Sequence, residues 1–378
     1  MIRCQVINRI AFITLDRPAA LNALNLDMIV QLRTALCEFA VDPDVYAVLI
    51  RGAGEKAFCA GGDIRAIYEA AKNAHGPQLN FFETEYPLDF LLYSYPKPYI
   101  ALIDGIVMGG GMGISQGSRL RIVGDRTRMA MPEVAIGFFP DVGAGYFLSR
   151  LAGALGPYLA LTGVQLRAGD ALYAGLADLY LPPASLLELE SELGALTWDF
   201  DRSQDPRAPQ VARAAQDARA AVEGVIHRLA GAAPPAPLAA LRPAIDEHFA
   251  AANVPAVLES LERESRPEFA AWARQTVDLM RTRSPTMLAV TWEQLKRGRS
   301  MSLAACLRME LGLVWQAFFQ GDFMEGVRAV IIDKDNAPVW RPTRIDEVTD
   351  EMVAAMFTDP WAGAEHPLAH LEGVHACS

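Results

Sequence analysis

The stretch from Pro98 to Gly113 constrains the fold of this chain more than any other. An apolar run, Tyr99–Val107, is interrupted only by Asp104-Gly105, and three glycines, Gly109–Gly111, then open a helix-like segment. A strand that is apolar at almost every position is typical of a sheet covered on both faces, and a glycine turn permits a sharp change into a helix. The sequence therefore predicts a βα unit in an α/β protein.

The same order of elements recurs on both sides of this unit. Apolar periodicity predicts a helix at Leu26–Ala40 and four strands at Arg9–Leu15, Tyr46–Arg51, Leu120–Val123 and Arg128–Pro132. From about Pro182 the composition changes to Ala, Leu, Glu and Arg, with helices predicted at Glu268–Arg283, Thr286–Arg297 and Leu303–Gln320. We therefore expect an α/β core over residues 1–185 and a mostly helical region over 186–378. Within the latter, the segment 203–243 is rich in Ala and Pro and is expected to be an exposed insertion.

Charge and composition argue against several classes of function. The chain has 34 Lys and Arg against 45 Asp and Glu, a net charge of −11, and no basic run that could follow a phosphate backbone, so nucleic-acid binding is not expected. No apolar stretch reaches the roughly 20 residues of a membrane span. The start of the sequence lacks the features of a signal or transit peptide, so we expect a cytoplasmic protein. Five scattered cysteines and six histidines without ligand spacing predict neither a disulfide framework nor a metal site.

Two glycine turns are candidates for ligand binding. In the first, Phe58–Ile64, Gly61 and Gly62 precede Asp63 at the expected start of a helix. The second, Gly109–Gly113, lacks the spacing of a dinucleotide-binding motif and of a phosphate-binding loop. Either turn alone is consistent with an ordinary tight turn. Together they could present two backbone N–H groups to the negative charge on a carbonyl oxygen, which would indicate acyl or enolate chemistry.

Two carboxylates lie in the otherwise apolar stretch Met131–Leu151. Glu133 follows a proline, and Asp141 lies in a Pro-Asp-Val-Gly turn. Carboxylates with apolar neighbours are candidates for shifted pKa values and for acid/base catalysis. The structural alternative is that Glu133 caps a turn and that Asp141 caps a helix starting near Ala144. The residues alone leave both interpretations open.

Four segments, in order and at matching separations, resemble the enoyl-CoA hydratase/isomerase (crotonase) superfamily. They are Leu15–Asn25, Phe58–Ile64, Ala101–Ser115 and Met131–Leu151. The chain is further similar to the 3-hydroxyisobutyryl-CoA hydrolase branch of that superfamily in Phe81–Tyr86, Phe139–Gly143 and Phe323–Trp340. The resemblance covers nearly the whole chain and is weakest between Pro182 and Pro255. It implies a crotonase-like spiral of ββα units followed by a helical C-terminal region.

The resemblance also implies roles for individual residues. Gly62 and Gly110 would supply the oxyanion hole. Glu133 would act as a base or as a nucleophile, and Asp141 would orient Glu133, the water or the substrate hydroxyl. Glu85 would contact the acyl group, with a solvated helix residue as the alternative. The substrate-binding set would then be Glu85, Gly110, Glu133 and Asp141, with no metal.

One departure from the family's pattern narrows the expected reaction. Hydratases of the superfamily carry one glutamate at the position matched by Gly113 and a second matched by Glu133, and this chain keeps only the second. Addition of water to a double bond needs one group that takes a proton from the water and one that gives a proton to the carbon. With a single carboxylate this pair of proton transfers is lost. Asp141 also stands where ordinary hydratases and isomerases have glycine.

The expected activity is therefore hydrolysis of 3-hydroxyisobutyryl-CoA in valine breakdown, with 3-hydroxypropionyl-CoA as a close second substrate. An enoyl-CoA isomerase or hydratase and a non-catalytic acyl-CoA-binding subunit are the alternatives. No cofactor is expected, because coenzyme A is part of the substrate. The resemblance further implies a homo-oligomer, a trimer or a hexamer.

Overall fold

A computed structural model of the protein describes residues 1–73, 79–198 and 209–371, the last range with side chains from residue 216 onward. The strands, in chain order, are β1 (Ile2–Ile7), β2 (Ile10–Leu15), β3 (Ala47–Gly52), β4 (Ala57–Cys59), β5 (Tyr99–Ile103), β6 (Ile106–Met108), β7 (Leu120–Val123), β8 (Arg128–Ala130) and β9 (Leu179–Tyr180). Six of them form one sheet in the order β1-β2-β3-β5-β7-β9, and three form a second sheet in the order β4-β6-β8. All neighbours are parallel except β1 and β2.

Helices follow the strands and then dominate the second half. They are α1 (Leu26–Val41), α2 (Ile64–Asn73), α3 (Leu79–Tyr93), α4 (Gly110–Gln116), α5 (Ala144–Phe147), α6 (Leu155–Thr162), α7 (Ala168–Ala174), α8 (Pro183–Gly194), α9 (Pro209–Leu229), α10 (Leu238–His248), α11 (Val254–Glu262), α12 (Pro267–Arg281), α13 (Pro285–Gly298), α14 (Leu303–Gln320), α15 (Phe323–Val327) and α16 (Asp350–Met356). No helix in the described ranges is long and apolar enough to cross a membrane.

The strands alternate between the two sheets as the chain advances. β3 and β4, then β5 and β6, then β7 and β8 each contribute one strand to the large sheet and one to the small sheet before the chain enters helical structure. Three such turns stack parallel strands on one another in both sheets. This is the predicted α/β spiral of ββα units.

The large sheet is buried on both faces, which explains its nearly continuous apolar sequences. In β3, Val48 and Ile50 belong to the main hydrophobic core, whereas Ala47 and Leu49 point to a second, smaller core behind the sheet. The alternation follows the two-residue period of a strand. The second core is closed by side chains of α8 and α9.

Helix α9 shows that part of the segment 203–243, expected to be an exposed insertion, packs on the large sheet, whereas residues 231–237 after the helix are largely exposed. Val222, Val225 and Ile226 are fully buried against the back of the large sheet. Their spacing places them on one face of the helix, so three branched side chains suffice to dock an otherwise Ala-rich segment. Residues 203–208 lie outside the described ranges.

The helical C-terminal region shares its core with the α/β part. Helix α14 begins and ends where the periodicity predicted, and its Leu307 and Leu311 lie in the same buried cluster as Phe139 and Val142. The boundary expected near residue 185 therefore marks a change in composition and not a break in the core. As a consequence, α14 packs against the segment that carries Asp141.

Candidate active site

The two glycine turns lie side by side because they follow neighbouring parallel strands, β4 and β6. Gly61 adopts a φ of +106°, which favours glycine, and a Cβ built on it would lie 3.6 Å from the backbone nitrogen of Gly110. The same Cβ would lie 3.2 Å from Met108 O, so the positive φ and the close approach of the two backbones together disfavour a side chain at Gly61. The turns expected to act together are thus in contact.

Both turns direct a backbone N–H group away from the surrounding hydrogen-bond ladder. Leu24 pairs with Gly62 in a parallel bridge, in which the Leu24 N–H donates to Gly61 O at 2.8 Å and Leu24 O accepts from the Asp63 N–H at 2.7 Å. In a parallel bridge the residues before and after Gly62 make the hydrogen bonds, so the N–H of Gly62 itself points away from Leu24. Gly110 is the first residue of α4, so its N–H has no acceptor within the helix. Neither N–H group donates to a backbone acceptor within the described residues, as is required of the donors of an oxyanion hole.

Glu133 lies directly against the second glycine turn. It begins a short 3-10 helix, Glu133–Ile136, and its Oε1 would lie 3.1 Å from a Cβ on Gly109. The side chain is buried, and Oε2 has no hydrogen-bond partner among the described residues. Burial, and secondarily the charge of Asp141, raise its pKa well above the ordinary value of a glutamate. The residue that precedes this 3-10 helix, Pro132, makes no side-chain cap, and the carboxyl group of Glu133 faces the second glycine turn.

Asp141 is held by a hydrogen bond that the sequence did not suggest. Its Oδ2 accepts from the hydroxyl of Tyr86, in α3, at 2.8 Å. Burial raises the pKa of Asp141 to about 7, although the Tyr86 hydroxyl opposes that change. Helix α5, which begins at Ala144, has no side-chain cap, so Asp141 does not cap it. The carboxyl group faces α3 instead.

Glu85 joins the same site from α3. It is 2% exposed, which excludes the alternative of a solvated helix residue. A Cβ on Gly110 would overlap Glu85 Oε1, and that oxygen finds no hydrogen-bond partner in the part of the chain that is described. Burial first, and Asp141 second, raise the pKa of Glu85 well above its ordinary value. One turn earlier in α3, the Phe81 ring covers Gly62, with its Cζ 3.0 Å from a Cβ built there.

The structure thus brings together all five residues expected in the site. It adds two buried carboxylates that sequence reasoning missed, Asp89 and Glu310. Asp89 follows Glu85 by one helical turn, is fully buried, and has no hydrogen-bond partner for either carboxylate oxygen within the described residues. Both added residues are single acidic residues inside apolar helical stretches, and this is the same signal that singled out Glu133.

Glu310 reaches the site from the helical C-terminal region. Its two carboxylate oxygens accept hydrogen bonds from the N–H groups of Gly143, at 2.7 Å, and Gly145, at 2.8 Å. Gln294, in α13, donates to Glu310 at 3.0 Å and to the carbonyl oxygen of Pro140 at 2.7 Å. Two C-terminal helices therefore fix the turn on which Asp141 lies.

The five carboxyl groups share a buried environment without a neutralising cation. None of the ion pairs found in the described ranges includes Glu85, Asp89, Glu133, Asp141 or Glu310. Burial raises the pKa of Glu310 to about 8 despite its three N–H donors, and it raises the pKa of Asp89 well above normal. In that same part of the chain no group of three or more His, Cys, Asp or Glu side chains could hold a metal ion. The site can therefore hold and release protons near neutral pH.

Comparison with known proteins gives one family. The enoyl-CoA hydratase/isomerase family matches residues 10–357. The mitochondrial 3-hydroxyisobutyryl-CoA hydrolase of Xenopus tropicalis is 44% identical over 349 residues, which cover 92% of this chain and 86% of the relative. The human protein of the same name is 42% identical over 340 residues, covering 90% and 83%.

Solved structures show the same architecture. A carnitinyl-CoA dehydratase from Mycobacterium thermoresistibile has a TM-score of 0.83 at 36% identity, and the match covers 95% of this chain and 97% of that one. An enoyl-CoA hydratase from Rhodobacter sphaeroides has a TM-score of 0.81 at 34% identity with the same coverage. These matches include the helical C-terminal region, and they confirm the fold predicted from the sequence.

Proposed function

Because the chain belongs to the enoyl-CoA hydratase/isomerase family, we propose that it hydrolyses the thioester of 3-hydroxyisobutyryl-CoA to 3-hydroxyisobutyrate and coenzyme A. The observation that carries the proposal is the 44% identity, over 92% of the chain, to a relative named as the hydrolase of this compound. The reaction would place the protein in valine breakdown. 3-Hydroxypropionyl-CoA, which keeps the thioester and the 3-hydroxyl group, is the second candidate substrate.

In this proposal the glycine turns bind the thioester carbonyl. The N–H groups of Gly62 and Gly110 donate to its oxygen, which becomes negatively charged when the carbonyl carbon turns tetrahedral. Loss of one such donor typically raises the barrier by about 3 to 4 kcal/mol. The close backbone approach and the positive φ at Gly61, which together disfavour a side chain there, support this role.

Glu133 performs the chemical step by one of two routes. As a base, it takes a proton from water as the water attacks the carbonyl carbon. As a nucleophile, it attacks that carbon itself and forms a mixed anhydride that water then cleaves. In both routes the C–S bond breaks and coenzyme A leaves as a thiolate, which needs little help from an acid. Trapping with hydroxylamine separates the routes through the protein, because attack on the glutamyl carbon of the anhydride leaves a hydroxamate on Glu133. The thioester itself gives the acyl hydroxamate in either route, so only the protein-bound product is diagnostic.

Glu85 and Asp141 recognise the acyl group. The carboxyl oxygens of Glu85 lie against Gly110, close to the position of the thioester carbonyl. A 3-hydroxyl group would supply the hydrogen bond that Glu85 Oε1 lacks among the described residues. Asp141, held by Tyr86, would orient Glu133, the water or the same hydroxyl group.

The geometry at Gly113 argues against hydration as the main reaction. A Cβ there would lie 2.7 Å from Asp89 Oδ1 and 2.8 Å from the Cβ of Val142. Both distances are shorter than real contacts of a Cβ, so a glutamate at this position, where hydratases of the family carry one, would have to displace Asp89 and Val142. Glu133 therefore lacks the partner that paired proton transfer needs.

Three further parts of the proposal concern the state of the protein. No cofactor takes part, because coenzyme A enters as part of the substrate. A trimer or a hexamer stays a prediction, which light scattering on the purified protein tests. A cytoplasmic location also stays a prediction, and the named relatives differ from it because they are mitochondrial proteins. Fractionation of the source cells tests it.

The test of the proposal is release of coenzyme A from 3-hydroxyisobutyryl-CoA, followed with a thiol reagent. The five cysteines of the chain require a substrate-free blank. We expect release by the wild type and a loss of at least about 100-fold in Glu133→Gln. Glu262→Gln, which changes an exposed glutamate of α11, is the matched control. Absence of thiol release by the wild type, with turnover of crotonyl-CoA or a 3-enoyl-CoA instead, would show a hydratase or an isomerase.

A further inference from the structure

Helix α3 carries a row of three buried polar side chains that leads away from the candidate active site. Glu85, Asp89 and Tyr93 follow one another at intervals of four residues, which places them on one face of the helix. Glu85 Oε1, both carboxylate oxygens of Asp89 and the hydroxyl oxygen of Tyr93 are buried and have no hydrogen-bond partner among the described residues. Buried polar atoms are nearly always paired, so four unpaired oxygens in one row need an explanation.

The row is enclosed by the close packing of α4 on α3. Gly110 and Gly113 of α4, together with Gly117 directly after the helix, form the surface that meets the row. A Cβ on Gly113 would lie 2.7 Å from Asp89 Oδ1, and one on Gly117 would lie 2.9 Å from the backbone nitrogen of Tyr93. Gly110 and Gly113 are one helical turn apart, about 5 to 6 Å, and each is touched by one carboxyl group of the row. One water molecule can bridge such a separation.

The two ends of the row open on different places. Glu85 lies against Gly110 in the candidate active site. Tyr93 lines a cavity of about 780 Å³ at the other end of α3, whose wall includes the exposed residues Pro96 and Arg119. Ser118 lines the same cavity, and its hydroxyl oxygen is buried without a partner in the described residues. The row thus ends beside the wall of a cavity that is open to solvent, with the buried hydroxyl groups of Tyr93 and Ser118 on the protein side of that wall.

The charges around the row favour the protonated forms of its members. Burial first, then the charges of Glu85, Asp141 and Glu310, raise the pKa of Asp89. The pKa of Tyr93 is raised mainly by burial and by Asp89 and Glu310, slightly by Tyr146, and is lowered by Arg121. A protonated carboxyl group and a phenol each donate and accept a hydrogen bond, as the members of a proton relay must.

Thioester hydrolysis creates a need for such a relay. Thioester and water give a carboxylate, a thiol and one proton. One proton of the attacking water ends on the thiolate of coenzyme A, and the other leaves the new carboxylic acid. While substrate or product fills the entrance of a buried site, this second proton needs another route if it is to reach solvent before the products leave.

We propose that Glu85, Asp89 and Tyr93 form a proton relay that carries the proton released by hydrolysis from the acyl site to the cavity at the end of α3. Glu85 receives the proton and passes one to Asp89. Tyr93 takes a proton on its hydroxyl oxygen while it gives its own to a water molecule that enters from the cavity, so no charged tyrosine remains. Each transfer breaks one O–H bond and forms another. The inference rests on the proposed hydrolase function and names a path that this function needs.

The test compares Asp89→Asn and Tyr93→Phe in the full-length protein with 3-hydroxyisobutyryl-CoA as substrate. Both replacements keep the shape of the side chain and remove its ability to pass a proton. The matched control is Tyr95→Phe, since Tyr95 lines the same cavity but donates its hydroxyl proton to Leu36 O at 2.6 Å, away from the row. The measured quantities are kcat, KM, the solvent deuterium isotope effect on kcat, and the dependence of kcat on imidazole concentration.

We expect kcat of both relay variants to fall about tenfold at low buffer concentration, within the usual effect of a proton-transfer group, with little change in KM. Imidazole should restore it, and the isotope effect should increase. Tyr95→Phe should behave like the wild type. An unchanged kcat in Tyr93→Phe, or a fall that imidazole does not restore, would overturn the relay, and this variant decides the question if Asp89→Asn does not fold. A wild type that releases no thiol would instead disprove the hydrolase function, and with it the need for the relay.

Discussion

The hydroxyl group of Tyr86 donates a hydrogen bond to Oδ2 of Asp141 across 2.8 Å, and both side chains are buried. This bond joins α3 to the turn that follows Pro140, two segments far apart in sequence. It opposes the effect of burial on Asp141, whose pKa nevertheless rises to about 7. The protonation of Asp141 near neutral pH therefore depends on a residue of another element.

Tyr86→Phe should move the pH dependence of the reaction. Without the hydroxyl group the Asp141 carboxylate loses a hydrogen bond that is worth about 1.5 to 3 kcal/mol when the acceptor is charged. The pKa of Asp141 should therefore rise by about one to two units, and the acidic limb of the kcat/KM profile should move up by the same amount. Tyr99→Phe is the control, because the Tyr99 hydroxyl is also buried but donates to Ile114 O at 2.9 Å. An identical profile in Tyr86→Phe would show that ionisation of Asp141 does not limit the reaction.

Glu310→Gln should loosen the turn that carries Asp141. A glutamine has one acceptor oxygen, so the N–H of Gly143 or of Gly145 would face an NH2 group and lose its partner. An unpaired buried N–H costs about 1 to 3 kcal/mol, which urea unfolding measures. Thiol release should fall in kcat more than it changes in KM, because the change affects the position of Asp141. Glu293→Gln, in an ion pair with Arg297 on the face of α13, should cost less than about 1 kcal/mol. Equal losses in the two variants would contradict the role of Glu310.

The stability of the protein should fall as pH rises through neutrality. The pKa values of Asp141 and Glu310 in the folded state are about 7 and about 8, whereas carboxyl groups in unfolded chains titrate near about 4. The folded state therefore binds more protons than the unfolded state between these values, and the free energy of unfolding decreases with pH across that window. Their contribution is complete below about pH 4 and is lost as pH passes through 7 and 8. Urea unfolding at several pH values from 5 to 9 measures the slope, which should be shallower in Glu310→Gln. A steeper fall in that variant would argue against a raised pKa for Glu310.

The fold followed from local sequence patterns, whereas part of the site did not. The apolar alternation of β2 and the periodicity of α14 placed both elements correctly, because each pattern is read within one segment. Asp89 and Glu310 were missed because their surroundings come from other segments, namely Gly113 and the turn from Gly143 to Gly145. A lone acidic residue in an apolar helix indicates a buried charge, but not which group it meets.

Recognition of the 3-hydroxyl group gives a prediction about substrates. Isobutyryl-CoA has the same carbon skeleton without the hydroxyl group, so Glu85 Oε1 would stay buried and unpaired in its complex. Sites built around a hydroxyl group discriminate strongly, and we expect kcat/KM to be lower by about 100-fold or more. In Glu85→Leu this ratio between the two substrates should shrink, whereas Glu83→Gln, which changes a half-exposed residue of the same helix, should keep it. Both substrates release the same proton, so the ratio is independent of any defect in proton transfer. An unaltered ratio in Glu85→Leu would assign recognition of the hydroxyl group to another residue.

A side chain at Gly113 should destabilise the protein without creating a hydratase. The Cβ of Gly113→Ala would lie 2.7 Å from Asp89 Oδ1 and 2.8 Å from the Cβ of Val142, so these neighbours must move. Overpacking of this kind costs about 1 to 3 kcal/mol. Gly224→Ala is the matched control, because no described atom outside its own helix backbone lies within 4 Å of a Cβ there. In a helix this change should stabilise by about 0.4 to 1 kcal/mol. Urea unfolding measures the free energy of unfolding of both variants.

The variant Gly113→Glu should release less thiol than the wild type and should not hydrate crotonyl-CoA. Hydration of crotonyl-CoA by Gly113→Glu would show that the site accommodates a second carboxylate. The packing of Asp89 and Val142 against Gly113 would then not explain why this chain differs from the hydratases.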